Sequence, residues 1–90
     1  MLMKVFSLHD LKAGTFMQPF FFPSVGQAVR AVLDLATDMG TLVARHPEDF
    51  VLYHLGDWDD LSARFADGHP SHIATVVSIL ETVKKGEPNQ

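Results

Sequence analysis

Three consecutive phenylalanines, Phe20, Phe21 and Phe22, end an extended run directly before a helix start at Ser24. Adjacent residues of a strand point to opposite faces, so both faces of any sheet containing this run carry a large aromatic. One of those faces must meet something beyond the first core layer. Pro19 stands just ahead and lacks the amide proton that a ladder needs, which puts the run Phe16 to Phe22 at a sheet edge or interrupts it there. Its partner is the run Leu2 to Leu8, with Val5 and Phe6 on opposite faces, and Asp10 to Gly14 supplies the turn between them.

Ser24 followed by Gln27 is a capping-box pattern, and Val25, Ala28, Val29, Val32, Leu33 and Ala36 recur at helical spacing. A helix is predicted over 24–38, with Gly40 just beyond it. Gln27, Arg30, Asp34 and Asp38 take the rest of its surface, which describes an amphipathic helix lying on a sheet. Thr41 to Arg45 reads as a connection and His46-Pro47-Glu48-Asp49 as a turn. From Phe50 to Trp58 the chain re-enters the sheet, with Val51, Tyr53 and Leu55 facing one way and Phe50, Leu52 and Trp58 the other. A turn at Asp59-Asp60-Leu61-Ser62 leads into a short strand, Ala63 to Ala66. Beyond the break at Gly68 to Ser71, Ile73, Val76, Val77, Leu80 and Val83 return to helical spacing, although the β-branched residues of 73–79 also permit a strand. We read a second helix here, with Ser71 as its cap and Lys84 and Lys85 suiting its C-terminal dipole.

The predicted fold is α+β: a small, mostly antiparallel four-stranded sheet with the amphipathic helix on one face, ordered β-β-α-β-β and then a C-terminal helix. Residues 1–85 form a single domain and 86–90 a flexible tail, and no internal repeat is visible. The 47% apolar and 20% charged composition is that of a globular chain. Without cysteine, stability must come from packing, and disulfides, thiolate nucleophiles and cysteine zinc sites are excluded. No apolar run approaches the roughly 18–20 residues that span a bilayer, and Met1-Leu2-Met3-Lys4 does not open a signal peptide, so a cytoplasmic location is expected. The formal charge of −4 argues against strong phosphate-driven binding. Charge is uneven, however: residues 1–33 hold Lys4, Lys12 and Arg30 against Asp10, whereas 57–67 hold Asp57, Asp59, Asp60 and Asp67 against Arg64.

Met3-Lys4-Val5-Phe6-Ser7, Lys12-Ala13, Phe16, Pro19-Phe20-Phe21, Gly26, Ala28, Arg30 and Asp34 form an ordered series that continues with His46-Pro47-Glu48-Asp49-Phe50, Leu52, Leu55-Gly56 and Asp59-Asp60. In these residues the chain resembles the small non-structural proteins of the gokushovirus branch of microviruses, which are single-stranded DNA phages. The chain departs from that family after the paired aspartates, where Leu61, Ser62 and Ala63 replace a turn that usually carries glycine. The resemblance implies a non-enzymatic phage protein, without cofactor, in the cytoplasm of the infected bacterium. It further implies a role in viral DNA replication or in the switch to single-stranded genome synthesis and packaging.

The candidate constellations are few. His69 and His72, with His9, His46 and His54 elsewhere, lack the spacing of a metal site and read as isolated histidines. Asp57, Asp59 and Asp60 lack the spacing and glycine of a calcium loop and read as a solvated hairpin turn. No nucleophile elbow or Gly-rich phosphate loop is present, so catalysis is not expected. Lys4, Lys12 and Arg30 with Phe16, Phe20 and Phe21 are the set that could hold single-stranded DNA or a replication protein. The competing reading makes these phenylalanines core or subunit interface in a homo-oligomer that binds only protein, and pairs Arg30 with Asp34 one helical turn on.

Overall fold

The two longest alternating runs become the central strands of the sheet. The computed structural model describes residues 1–66 and 68–86. Its elements are β1 (Leu2–Asp10), β2 (Thr15–Phe16), β3 (Phe20–Phe22), α1 (Val25–Ala36), α2 (Leu42–Arg45), a 3-10 turn (Pro47–Asp49), β4 (Phe50–Asp59), β5 (Arg64–Phe65), β6 (Ser71–Thr75) and α3 (Val76–Gly86). β1 and β4 pair antiparallel from Leu2 opposite Asp59 to Asp10 opposite Phe50. β2 and β3 both line the outer edge of β1, and β5 and β6 the outer edge of β4. The fold is thus α+β with an antiparallel sheet, but of six strands where four were predicted.

The difference arises because each flanking strand is broken in two. Pro19 interrupts the first, yet the segment stays against β1: the Met17 amide donates to the Leu8 carbonyl at 2.8 Å, and the buried Ser7 hydroxyl donates to the Met17 carbonyl at 2.6 Å. On the other flank Gly68 comes so close to β4 that an added Cβ would lie 2.6 Å from the Leu55 carbonyl oxygen. Only glycine fits that approach.

The helices cover one face. Phe6, Leu8, Phe50 and Leu52 are buried there against Ala28, Val32 and Ala36 of α1, Val43 of α2, and Val76 and Ile79 of α3. Ser24 caps α1 by accepting the Gln27 amide at 3.2 Å. The helix ends earlier than predicted, where the Thr37 hydroxyl donates to the Leu33 and Asp34 carbonyls. Thr41 accepts the Ala44 amide at 3.1 Å and turns the expected connection into α2. The C-terminal helix starts at Val76 instead of following Ser71, because Ser71–Thr75 pairs with β4. Val51, Leu52, Tyr53 and His54 would otherwise leave backbone groups on an open edge, and β-branched Ile73 and Thr75 suit extended backbone. Thr75, not Ser71, caps α3, accepting the Ser78 amide at 3.1 Å. Residues 87–90 of the predicted tail and the side chains of Lys84 and Lys85 lie outside what the structure describes.

A bulge decides which residues share a face. Phe6 stands opposite His54 and Val5 opposite Gly56, so Leu55 is an extra residue in β4. Because strand side chains alternate with period two, one extra residue reverses the alternation beyond it. Trp58 therefore faces with Tyr53, away from the helices, and not with Phe50 and Leu52 as the uninterrupted pattern predicted. Ile73 is the matching extra residue of β6, between Ala74 opposite Leu52 and His72 opposite Tyr53.

The strand register contains an internal pseudo-two-fold centred on the Phe6–His54 pair. Turning the β1–β4 ladder about that pair carries Ser7 opposite Tyr53 onto Gly56 opposite Val5. In the same operation His9 opposite Val51 falls on Trp58 opposite Met3. The flanks follow: His9 opposite Phe16 corresponds to Trp58 opposite Phe65, and β3 leading into α1 corresponds to β6 leading into α3. No repeat is legible in the sequence because the corresponding side chains differ, as Tyr53 and Val5 do.

The two hairpin turns also correspond. Asp10 Oδ1 accepts the amides of Lys12 and Ala13, and Gly14 closes the turn at φ 72°, its amide donating to the Asp10 carbonyl. Asp59 accepts the Leu61 amide and the Ser62 hydroxyl, and the Ala63 amide donates to the Asp59 carbonyl at 2.8 Å. The Leu61 amide first, and then the Ser62 hydroxyl, hold the Asp59 carboxyl below the usual carboxylate range. Ala63 takes the position of Gly14 at φ 59°, a left-handed conformation that is costly for a residue with a Cβ. Ala63→Gly is expected to stabilise the fold by about 1 kcal/mol, read as a higher urea midpoint. A lower midpoint would mean that the turn is not strained.

Candidate nucleic-acid interface

The face of the sheet opposite the helices carries seven rings. Register places His9, Phe16, Phe21, Tyr53, Trp58, Phe65 and His72 on it. They form two groups. In the first, His9 and Phe16 have centroids 4.5 Å apart, Phe16 and Tyr53 5.3 Å, and Tyr53 and His72 5.8 Å. In the second, Trp58 and Phe65 are 4.8 Å apart, with Phe21 6.4 Å from Trp58 and 6.5 Å from Phe65. Phe16, Phe21 and Phe65 are exposed at 43%, 38% and 64%, large values for phenylalanine in a small domain.

Charge is sorted away from this surface. The strand positions of the open face hold no carboxylate, because Asp10, Asp57 and Asp59 fall on the opposite side of the ladder. Asp10 Oδ1 and both carboxylate oxygens of Asp59 accept hydrogen bonds within the hairpin turns, and Asp57 Oδ1 lies 3.2 Å from His54 Nε2. Nor does Lys or Arg occupy its strand positions, where the ionisable side chains besides Tyr53 are His9 and His72. Asp67 of the acidic segment lies outside the described residues.

The residues selected from the sequence are divided between surfaces. Phe16 and Phe21 reach the open face. Phe20 points the other way, 5.9 Å from the Phe6 ring and packed with Phe22 on the core. Lys4 stands opposite Phe22 and Asp57 on that same side. Lys12 lies in the exposed β1–β2 turn and Arg30 on the exposed surface of α1, where no ion pair joins it to Asp34. The phenylalanine triplet thus has the two-sided character expected of it, with Phe21 alone on the open face. Sequence reasoning missed Trp58, Phe65, His9, Tyr53 and His72 as companions of Phe16 and Phe21. The pairing of Tyr53 with the sheet's outer face was legible; that of Trp58 was hidden by the bulge.

Other features offer less. His46, Glu48 and Asp49 bring ligand-type atoms within 4.8 Å of one another on the solvated 3-10 turn. An apolar depression of about 270 Å³ between α1 and β3 is lined by Leu8, Phe20, Phe22, Ala31, Val32 and Leu35. A second of about 270 Å³, lined by Val5, Pro19, Leu55, Gly56, Phe65, Ala66 and Gly68, borders the open face. No helix among the described residues is long and apolar enough to cross a membrane.

A family model described as Phage ORF5 protein matches residues 3–79. The chain belongs to this family. The match takes in all seven rings of the open face and every strand of the sheet but for Leu2 of β1, and it accords with the phage resemblance seen in the sequence. No curated protein and no solved structure matches this phage ORF5 family member.

Proposed function

We propose that this phage protein holds single-stranded DNA on the open face of its sheet, and that through this contact it acts in viral DNA replication or in the switch to single-stranded genome synthesis and packaging. It does so in the cytoplasm of the infected bacterium, without catalysis or cofactor. The observation that supports the reading is the array of seven rings on a face from which every strand carboxylate is excluded. Bases stack on aromatic side chains for roughly 1–3 kcal/mol each, and the interaction tolerates any sequence because every base has a π-face. A chain of charge −4 repels the phosphates, so the contact is weak and driven by stacking.

Trp58 is the single tryptophan of the chain and reports the contact directly. Titration with oligothymidylate is expected to quench its emission, with shallow salt dependence because no Lys or Arg occupies the strand positions of the face. Unchanged emission at low salt counts against the contact. For the biological role, infection by a phage lacking the gene is expected to deplete single-stranded viral DNA selectively; equal loss of both forms would remove the role in the switch.

The rival reading is a self-associating scaffold that binds only protein. The exposure of Phe21 and Phe65 favours it, since two copies could bury these rings against each other. It predicts a dimer in light scattering and no quenching by DNA.

A further inference from the structure

The two ring groups are not one continuous surface, and their arrangement defines the ligand more narrowly. Under the pseudo-two-fold, His9 corresponds to Trp58, Phe16 to Phe65 and His72 to Phe21. The fourth position is Tyr53 in one group and Val5 in the other. Each group is therefore a version of the same construction: a ring on a central strand, a ring opposite it on a flanking strand, and a ring from β3 or β6. Val5 of the second group, and Ser7 and Gly56 between the groups, present no ring. Ser7 is fully buried and Val5 nearly so.

Resting on the proposed DNA contact, we infer that the open face holds two separate stacking platforms, and that its ligand is a single strand long enough to occupy both at once. Along β1 the group centres are about four residues apart, or ~13 Å at the strand rise. With stacked bases ~3.4 Å apart along one strand, bridging needs about four steps. A dinucleotide reaches one platform only. A strand that spans both converts the second contact into an intramolecular one, so affinity rises without any new kind of contact. The two-fold also presents the platforms to a strand in opposite senses. Stacking tolerates this because it reads the base plane and not chain direction.

The chain supplies a separate reporter for each platform, since Tyr53 is its only tyrosine and Trp58 its only tryptophan. Tryptophan emission of the native protein reads the Trp58 platform, and tyrosine emission of a Trp58→Phe variant reads the Tyr53 platform. A thymidine dinucleotide should quench each reporter weakly. An octanucleotide should bind roughly tenfold or more tightly, after correction for the number of registers, with both reporters titrating together. In Phe16→Ala, and independently in His72→Ala, both at exposed positions, the gain with length should vanish while dinucleotide quenching of Trp58 persists. If the corrected affinity does not rise with length, or rises equally in both variants, the two-platform inference is overturned while the DNA contact stands. If neither length quenches either reporter, the DNA contact itself is lost, and the inference with it.

Discussion

Phe6→Ala is expected to lower the folding stability by about 3–5 kcal/mol, a large share of what a domain of this size possesses. Phe6 has no exposed surface and packs on Phe20 at 5.9 Å and on the His54 ring at 5.5 Å. It also occupies the centre of the pseudo-two-fold, where β1 and β4 change register. The cavity would open at the point from which both halves of the sheet take their alignment, and neighbouring strands anchored by their own hydrogen bonds can close it only in part. Chemical denaturation measures the effect. A loss below about 1 kcal/mol would show that the core relaxes around the missing ring.

The second large effect separates neighbours in the sequence. The Phe21→Ala, Phe65→Ala pair is expected to weaken oligothymidylate binding roughly a hundredfold, at about 1–3 kcal/mol per ring, while moving the urea midpoint little. Phe20→Ala should do the reverse, lowering the midpoint while leaving the affinity of the folded fraction intact. The basis is geometric: Phe20 stacks on Phe6 in the helix-covered core, whereas Phe21 turns to Trp58 and Phe65 on the open face. Equal loss of binding in both experiments would mean that the open face is not the contact surface. Conversely, a double variant that unfolds would assign Phe21 and Phe65 to stability, as the protein-only reading requires if they meet a second copy.

The corresponding turns add a lesson about the family pattern. The sequence flagged the missing glycine after Asp59-Asp60 as a departure, and the structure shows its physical content: Ala63 holds the left-handed conformation that Gly14 holds in the other hairpin. Departure from the pattern left the turn's hydrogen bonds intact and placed the cost in one backbone dihedral.

Local signals were readable wherever the interaction that fixes an element is itself local. Ser24 and the apolar spacing from Val25 to Ala36 define α1, and Asp10 with Gly14 defines the first turn, because each bond spans only a few residues. The α+β class and the two-sided aromatic strand followed from the same short-range rules. Tertiary structure alone decided the rest. Residues 71–75 satisfy a strand about as well as a helix on propensity, and the open edge of β4 selected the strand. The extra residue at Leu55 exists only as a mismatch between two strands far apart in sequence, so no pattern within β4 could announce it. That mismatch turned Trp58 from the core to the open face and assembled the seven rings into two platforms. The sequence alone determined which residues are aromatic and where the two central strands and the first helix lie; long-range register determined how the flanking strands divide and which aromatics stand together.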